Sequence, residues 1–152
     1  MEPRVLDQLL AATALLQDDL SRFFEGTPLT TARTHLLWEL RGLGPSTQQA
    51  LATALRVSAR NITGLVDALE ASGYVARGAH PTDRRATLVS LTKLGERTMV
   101  RMERDHRMLS RSLVANLNAA EVSELERSLD VVIGRLQALI VADQGGTETE
   151  AS

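Results

Sequence analysis

At 152 residues the chain has the size of one ordinary domain, long enough to bury a substantial core. It contains no cysteine, which excludes disulfides, thiol nucleophiles, thiolate metal sites and cysteine-based redox sensing. The net charge is only −2 but is unevenly spread: Gly44 to Gly95 carries six basic and three acidic residues, the remainder eleven and sixteen. A polyanionic partner needs such a local basic excess, whatever the sign of the whole.

Aromatic residues make up only 3% of the chain, so the core has to be built from Leu, Val and Ala. With many Arg and Glu these residues favour a mainly helical protein. The apolar N-terminal run VLDQLLAATALL is interrupted by Asp7 and Gln8 and lacks a basic leader, unlike a signal peptide. No segment approaches the roughly 18 uninterrupted apolar residues of a membrane span. The expectation is a cytoplasmic protein with no membrane partner.

Leu6, Leu9, Leu10, Thr13, Leu16, Leu20 and Phe23 recur at three- and four-residue steps, predicting a first helix from Val5 to Phe24. Gly26 and Pro28 break it. Thr30 is the N-cap of a second helix with Leu36, Leu37, Leu40 and Leu43 on its apolar side, ended by Gly42, Gly44 and Pro45. Ser46 with Gln49 three residues on has capping-box spacing for a third helix, whose apolar face is Leu51, Ala54 and Leu55.

About three residues separate the third helix from the next, the spacing of a helix-turn-helix. Ser58 caps the fourth helix, Ile62, Leu65, Val66 and Leu69 form its buried side, and Gly73 stops it. Tyr74 to Arg77 and Ala86 to Leu91 read as two strands of a hairpin whose loop contains Gly78 and Pro81. Thr92 caps a long fifth helix to about Leu117. Asn118 and Glu121 open a sixth, in which Leu125, Leu129, Val132, Leu136 and Leu139 make a short heptad-like seam.

Base edges in the major groove present donors and acceptors, so a reading helix needs Arg, Asn and hydroxyl side chains near its N-terminus. Arg60 and Asn61 are the candidates for base contacts, and Ser58 and Thr63 for phosphates or bases. A narrow minor groove concentrates negative potential and favours an Arg on an extended finger, which Arg84 and Arg85 in the loop HPTDRR supply. Asp83 beside them suits a structural role, pairing with a neighbouring Arg to fix the loop.

The run S-x-R-x-x-T-x-L-V-x-x-L-E-x-x-G-Y-V from Ser58 to Val75, then HPTDRRATLVSLTKLGE from His80 to Glu96, resembles the MarR (multiple antibiotic resistance regulator) family. The resemblance implies a mainly α winged helix-turn-helix of about six helices with a small β-hairpin wing. It implies a homodimer on double-stranded DNA whose dimer lobe comes from the N- and C-terminal helices. Arg85 would be the minor-groove wing residue, Asp83 its structural partner and Arg84 a phosphate contact. The organisation expected is one winged-helix protein over 1–142, with dimerisation helices 5–24 and 92–142, a DNA-binding lobe 30–91, and a disordered tail 143–152. Family members are often released from DNA by a small aromatic or phenolic ligand. His35, Trp38 and Arg41, three apart on the second helix, are the candidates for its pocket wall.

Enzyme readings find no support. No G-x-S-x-G, P-loop or H-E-x-x-H motif occurs, and His35, His80 and His106 are scattered singly. No catalytic residue, metal site or cofactor is expected. The function expected is a sequence-specific transcriptional regulator, a dimeric repressor of a pseudo-palindromic operator. A second reading keeps the fold as a ligand-binding or protein-interaction module without specific DNA binding. Arg60, Asn61, Arg84 and Arg85 separate the two, because such a module has no physical need for them.

Overall fold

The computed structural model describes residues 4–147, and the side chains of residues 4–142. The order of elements is α1 (Val5–Phe24), α2 (Thr31–Leu43), β1 (Ser46–Thr47), α3 (Gln48–Leu55), α4 (Ala59–Ala71), β2 (Val75–Ala79), β3 (Thr87–Leu91), α5 (Lys93–Leu113) and α6 (Ala119–Thr147). The chain divides into two compact units, Met1–Glu103 and Arg104–Ser152, with the division falling inside α5.

The first unit holds the core. Leu36, Leu37 and Leu40 of α2, Leu51 of α3, and Ile62, Val66 and Leu69 of α4 are buried with Val75, Val89 and Met99. Helical periodicity foretold most of this set. It failed at helix ends: Leu43 is exposed, because it is the last residue of α2 and the chain turns away at Gly44 with φ +77°. On α3, Ala52 rather than Ala54 packs against the core. α1 contributes only its C-terminal end, where Phe23 and Phe24 meet edge to face at 5.7 Å and the Arg101 guanidinium lies over the Phe23 ring at 5.2 Å.

The expected two-stranded hairpin is a three-stranded antiparallel sheet of order β1-β3-β2. β3 pairs with β2 from Val75 opposite Leu91 to Ala79 opposite Thr87, and on its other edge with Ser46 and Thr47. Ser46 is therefore a strand residue and not a helix cap; its hydroxyl donates to the Gly44 carbonyl at 2.8 Å. Thr47 caps α3 instead, accepting from the Ala50 amide. A two-residue strand has no periodicity of its own, and its pairing with Val89 lies 43 positions away along the chain.

Three chain reversals set α4 and the β2–β3 hairpin in place. Between α3 and α4 Arg56 adopts a left-handed conformation (φ 54°), unusual for a residue with a side chain, while Ser58 caps α4 by accepting from the Asn61 amide at 3.2 Å. Gly73, at φ +79°, ends α4 and turns the chain into β2. At the start of α5, Thr92 accepts from the Gly95 amide and donates to the Gly73 carbonyl at 2.6 Å. Gly95 lies so close to β2 that a Cβ there would stand 2.2 Å from the Tyr74 carbonyl oxygen.

The second unit is helical throughout its regular structure. α5 ends at Leu113, a turn earlier than expected, and the chain turns before Asn118. The Asn118 side chain accepts from the Ala120 and Glu121 amides while Glu121 accepts from the Asn118 amide at 2.8 Å, the reciprocal pair foreseen from the sequence. α6 continues to Thr147, so residues 143–147, expected to begin a disordered tail, are helical; the rest of that tail, 148–152, lies outside the described residues. From Arg104 to residue 142 no side chain is buried.

Candidate nucleic-acid interface

α4 turns Ile62, Val66 and Leu69 inward, which leaves Arg60, Asn61, Thr63, Gly64 and Asp67 exposed on the opposite side and its flanks. Ser58 spends an oxygen lone pair on its cap, so its own hydrogen remains to be donated to a phosphate. Arg60 makes no ion pair among the described residues, and nothing stands within 4 Å of where a Cβ of Gly64 would be.

The wing tip, residues 80–86, is held by its own backbone. Asp83 accepts from the Arg85 amide at 2.9 Å, and the Ala86 amide donates to the Asp83 carbonyl. The expected pairing of Asp83 with a neighbouring guanidinium is thus replaced by a backbone bond. The consequence matters: the Arg84 and Arg85 side chains stay exposed and outside every ion pair among the described residues. His80, given no role in the sequence reading, organises the same turn. Its Nδ1 accepts from the amides of Thr82 (3.2 Å) and Asp83 (3.1 Å), which places the ring proton on Nε2.

The residue that sequence reading missed is Arg77, on β2. Its amide donates to Glu70 Oε1 at 2.9 Å and its guanidinium bonds Glu70 Oε2, Asp67 Oδ1 (2.5 Å) and Gln48 Oε1 (2.9 and 3.1 Å). One side chain thereby ties α3, α4 and β2 together. Arg77 had been counted in the basic excess, but its charge is spent on two acids of α4. Asp67 and Glu70, three apart on one helix face, were the available signal; that Arg77 meets them follows only from the register of β2.

Electrostatics follow from these bonds. The amide of Arg77, then its guanidinium, hold the Glu70 carboxyl below the usual carboxylate range. Burial pulls the Arg77 guanidinium down, but Asp67 and Glu70 outweigh it and the net direction is up. Of the residues expected to line a ligand pocket, Arg41 is bound to Glu103 at 2.7 Å and Glu96 at 2.6 Å, which raises its pKa, chiefly through Glu103. Trp38 is half-buried against the core, and His35 is exposed.

A helix-turn-helix followed by a three-stranded sheet with an exposed basic tip defines the winged helix-turn-helix class. The MarR family model matches residues 29–87. The multiple antibiotic resistance protein MarR of Escherichia coli K12 is 30% identical over 118 residues, covering 75% of this chain and 80% of that protein. The transcriptional repressor IacR of Pseudomonas putida is 29% identical over 121 residues, 80% of this chain and 72% of its own length. The structure of FabT from Streptococcus pneumoniae in complex with DNA superposes with a TM-score of 0.80 at 20% identity, covering 90% of this chain and 97% of that one, a likeness of fold. The chain belongs to the MarR family, and is a transcriptional regulator rather than an enzyme.

The lowered Glu70 pKa carries a sign. Stability from a depressed carboxylate is fully present above the ordinary value of 4.5 and is lost as pH falls through the lowered folded value. Wild type should therefore exceed Glu70→Gln in urea midpoint at pH 7, with the gap closing as the pH is taken down to about 3. A gap of constant size over that range would contradict the assignment.

Proposed function

We propose that the chain is a homodimeric repressor, acting in the cytoplasm, that binds a pseudo-palindromic operator with α4 in the major groove and the wing tip in the adjoining minor groove. The observation that carries the reading is the sorting of charge. Arg77 and Arg41 are committed to acids of the chain itself, while Arg60, Arg84 and Arg85 remain exposed without an ion pair among the described residues. A protein-interaction module of the same fold would have no use for three uncompensated guanidinium groups on the helix and wing. IacR is a transcriptional repressor, which supports the sign of the regulation.

The dimer is supported by apolar surface left open. Leu6, Leu10 and Leu15 on α1 are each more than 60% exposed, and on α6 Leu125, Leu129, Leu136 and Leu139 are exposed together with Val131, Ile133 and Val141. Exposed apolar faces on each of these helices call for a partner. A second copy supplies it with the same helices and brings a second reading helix, roughly 34–36 Å away, onto the other half-site. The dimerisation segments 5–24 and 92–142 and the DNA-binding segment 30–91 follow from that arrangement. For release, a small aromatic or phenolic effector has His35 and Trp38 to meet, whereas Arg41 is already held by Glu96 and Glu103.

An anisotropy titration on duplexes from the chain's own promoter region tests the DNA reading. Arg60→Ala should cost about 1–3 kcal/mol and relax specificity at one position per half-site. Arg85→Ala should weaken binding to all sequences; a loss of no more than twofold would sink the minor-groove role. Truncation before Glu121 should yield a monomer by sedimentation, and an intact dimer of that truncated chain would rule out α6 as the pairing element.

A further inference from the structure

Four residues form a one-way relay of hydrogen bonds that fixes what α4 can say to a base. A guanidinium has donors and no acceptor, so Gln48 must turn its carbonyl oxygen to Arg77: Oε1 accepts from Nε at 3.1 Å and from the terminal nitrogen at 2.9 Å. The amide nitrogen of Gln48 is then aimed the other way and donates to Thr63 Oγ1 at 3.0 Å. Thr63 in turn spends its one hydroxyl hydrogen on the Ala59 carbonyl at 2.9 Å. The usual ambiguity of an amide's orientation is removed here by the permanent cation at one end of the relay.

The consequence is chemical. Thr63 is exposed on α4, three residues after Arg60, and the adjoining Gly64 presents no side chain to hold a base edge away. Phosphate oxygens, guanine O6 and N7, adenine N7 and thymine O4 are all acceptors, and the Thr63 hydroxyl has no hydrogen left for any of them. What remains is one oxygen lone pair, which could only accept from adenine N6 or cytosine N4, and the γ-methyl, whose match in the major groove is the C5-methyl of thymine. Resting on the DNA-binding reading above, we infer that Thr63 reads one thymine per half-site through methyl contact, and that Gln48 and Arg77 act as positioning residues that deny it any donor role. The sequence alone offered Thr63 as a hydrogen-bonding residue; the relay reverses that assignment.

The test starts by selecting binding sites for the full-length protein from a random duplex library. Each thymine of the enriched site is then replaced in turn by deoxyuridine, which lacks only the C5-methyl. At one thymine per half-site this should weaken wild-type binding about three- to fivefold, the scale of one buried methyl group. Thr63→Val, which keeps a methyl and loses the hydroxyl, should lose less affinity than Thr63→Ser and stay sensitive to deoxyuridine at the same position. Thr63→Ser, which keeps the hydroxyl and loses the methyl, should lose about as much as the deoxyuridine substitution and be insensitive to it. Matching thermal unfolding of both variants keeps a folding defect from imitating either result. Loss in Thr63→Val with retention in Thr63→Ser would overturn the inference, since the hydroxyl would then be accepting from adenine N6 or cytosine N4. An enriched site with no deoxyuridine-sensitive position would overturn it equally. Failure of the library to enrich at all would instead sink the DNA-binding reading, and the inference with it.

Discussion

Arg77 is the point at which the orientation of the reading helix is fixed. Apolar packing by Ile62, Val66 and Leu69 holds α4 against the rest of its unit, but dispersion and hydrophobic burial are non-directional and constrain rotation about the helix axis only through shape. Hydrogen bonds from a guanidinium are directional and charge-assisted. By bonding Asp67 and Glu70 on α4 and Gln48 at the start of α3, Arg77 sets which side of α4 faces outward and joins that choice to the strand that leads into the wing. On the proposed DNA-binding reading, those bonds join the helix and the wing that would enter the two grooves.

The same bonds sort the charges of the molecule. Asp67 and Glu70 would otherwise stand as open carboxylates on α4; Arg77 neutralises much of their effect. Asp83 is turned inward onto the Arg85 amide, so an acid at the wing tip shapes the loop without quenching either guanidinium. The basic excess between Gly44 and Gly95 is therefore not reduced by these pairs, since the acids that Arg77 meets are the ones the count had set against it. Arg41 illustrates the opposite commitment: its ion pairs with Glu96 and Glu103 join α2 to α5 within the first unit.

What the sequence made legible was local. Helical periodicity placed α1 closely, the caps Thr30, Ser58, Thr92 and Asn118 bond as their positions imply, and the S-x-R-x-x-T and D-R-R runs fall on α4 and the wing tip. What it concealed was long-range. β1 exists because Ser46 meets Val89, and Arg77 is a hub because β2 pairs in a register that sets it beside Asp67, Glu70 and Gln48. Asp83 does bond Arg85, the partner expected, but through the backbone amide, since spacing cannot reveal whether a carboxylate bonds a guanidinium or an amide. His80 was invisible for the same reason. The helical course of residues 143–147 shows that Gly145 and Gly146 need not end the helix.

On the proposed DNA-binding reading, Arg77 governs recognition by positioning α4 and not by touching phosphate. The most direct test of this is Arg77→Lys, which preserves net charge but cannot span the carboxylates of Asp67 and Glu70 and the Gln48 carbonyl at once. Binding to the selected site is measured from 50 to 200 mM salt beside wild type. We expect affinity to fall about tenfold, on the scale of one charge-assisted hydrogen bond, with the slope of log K against log salt unchanged, because no phosphate contact has been removed. Affinity within twofold of wild type, or a slope reduced by about one unit, the signature of a lost phosphate contact, would contradict it.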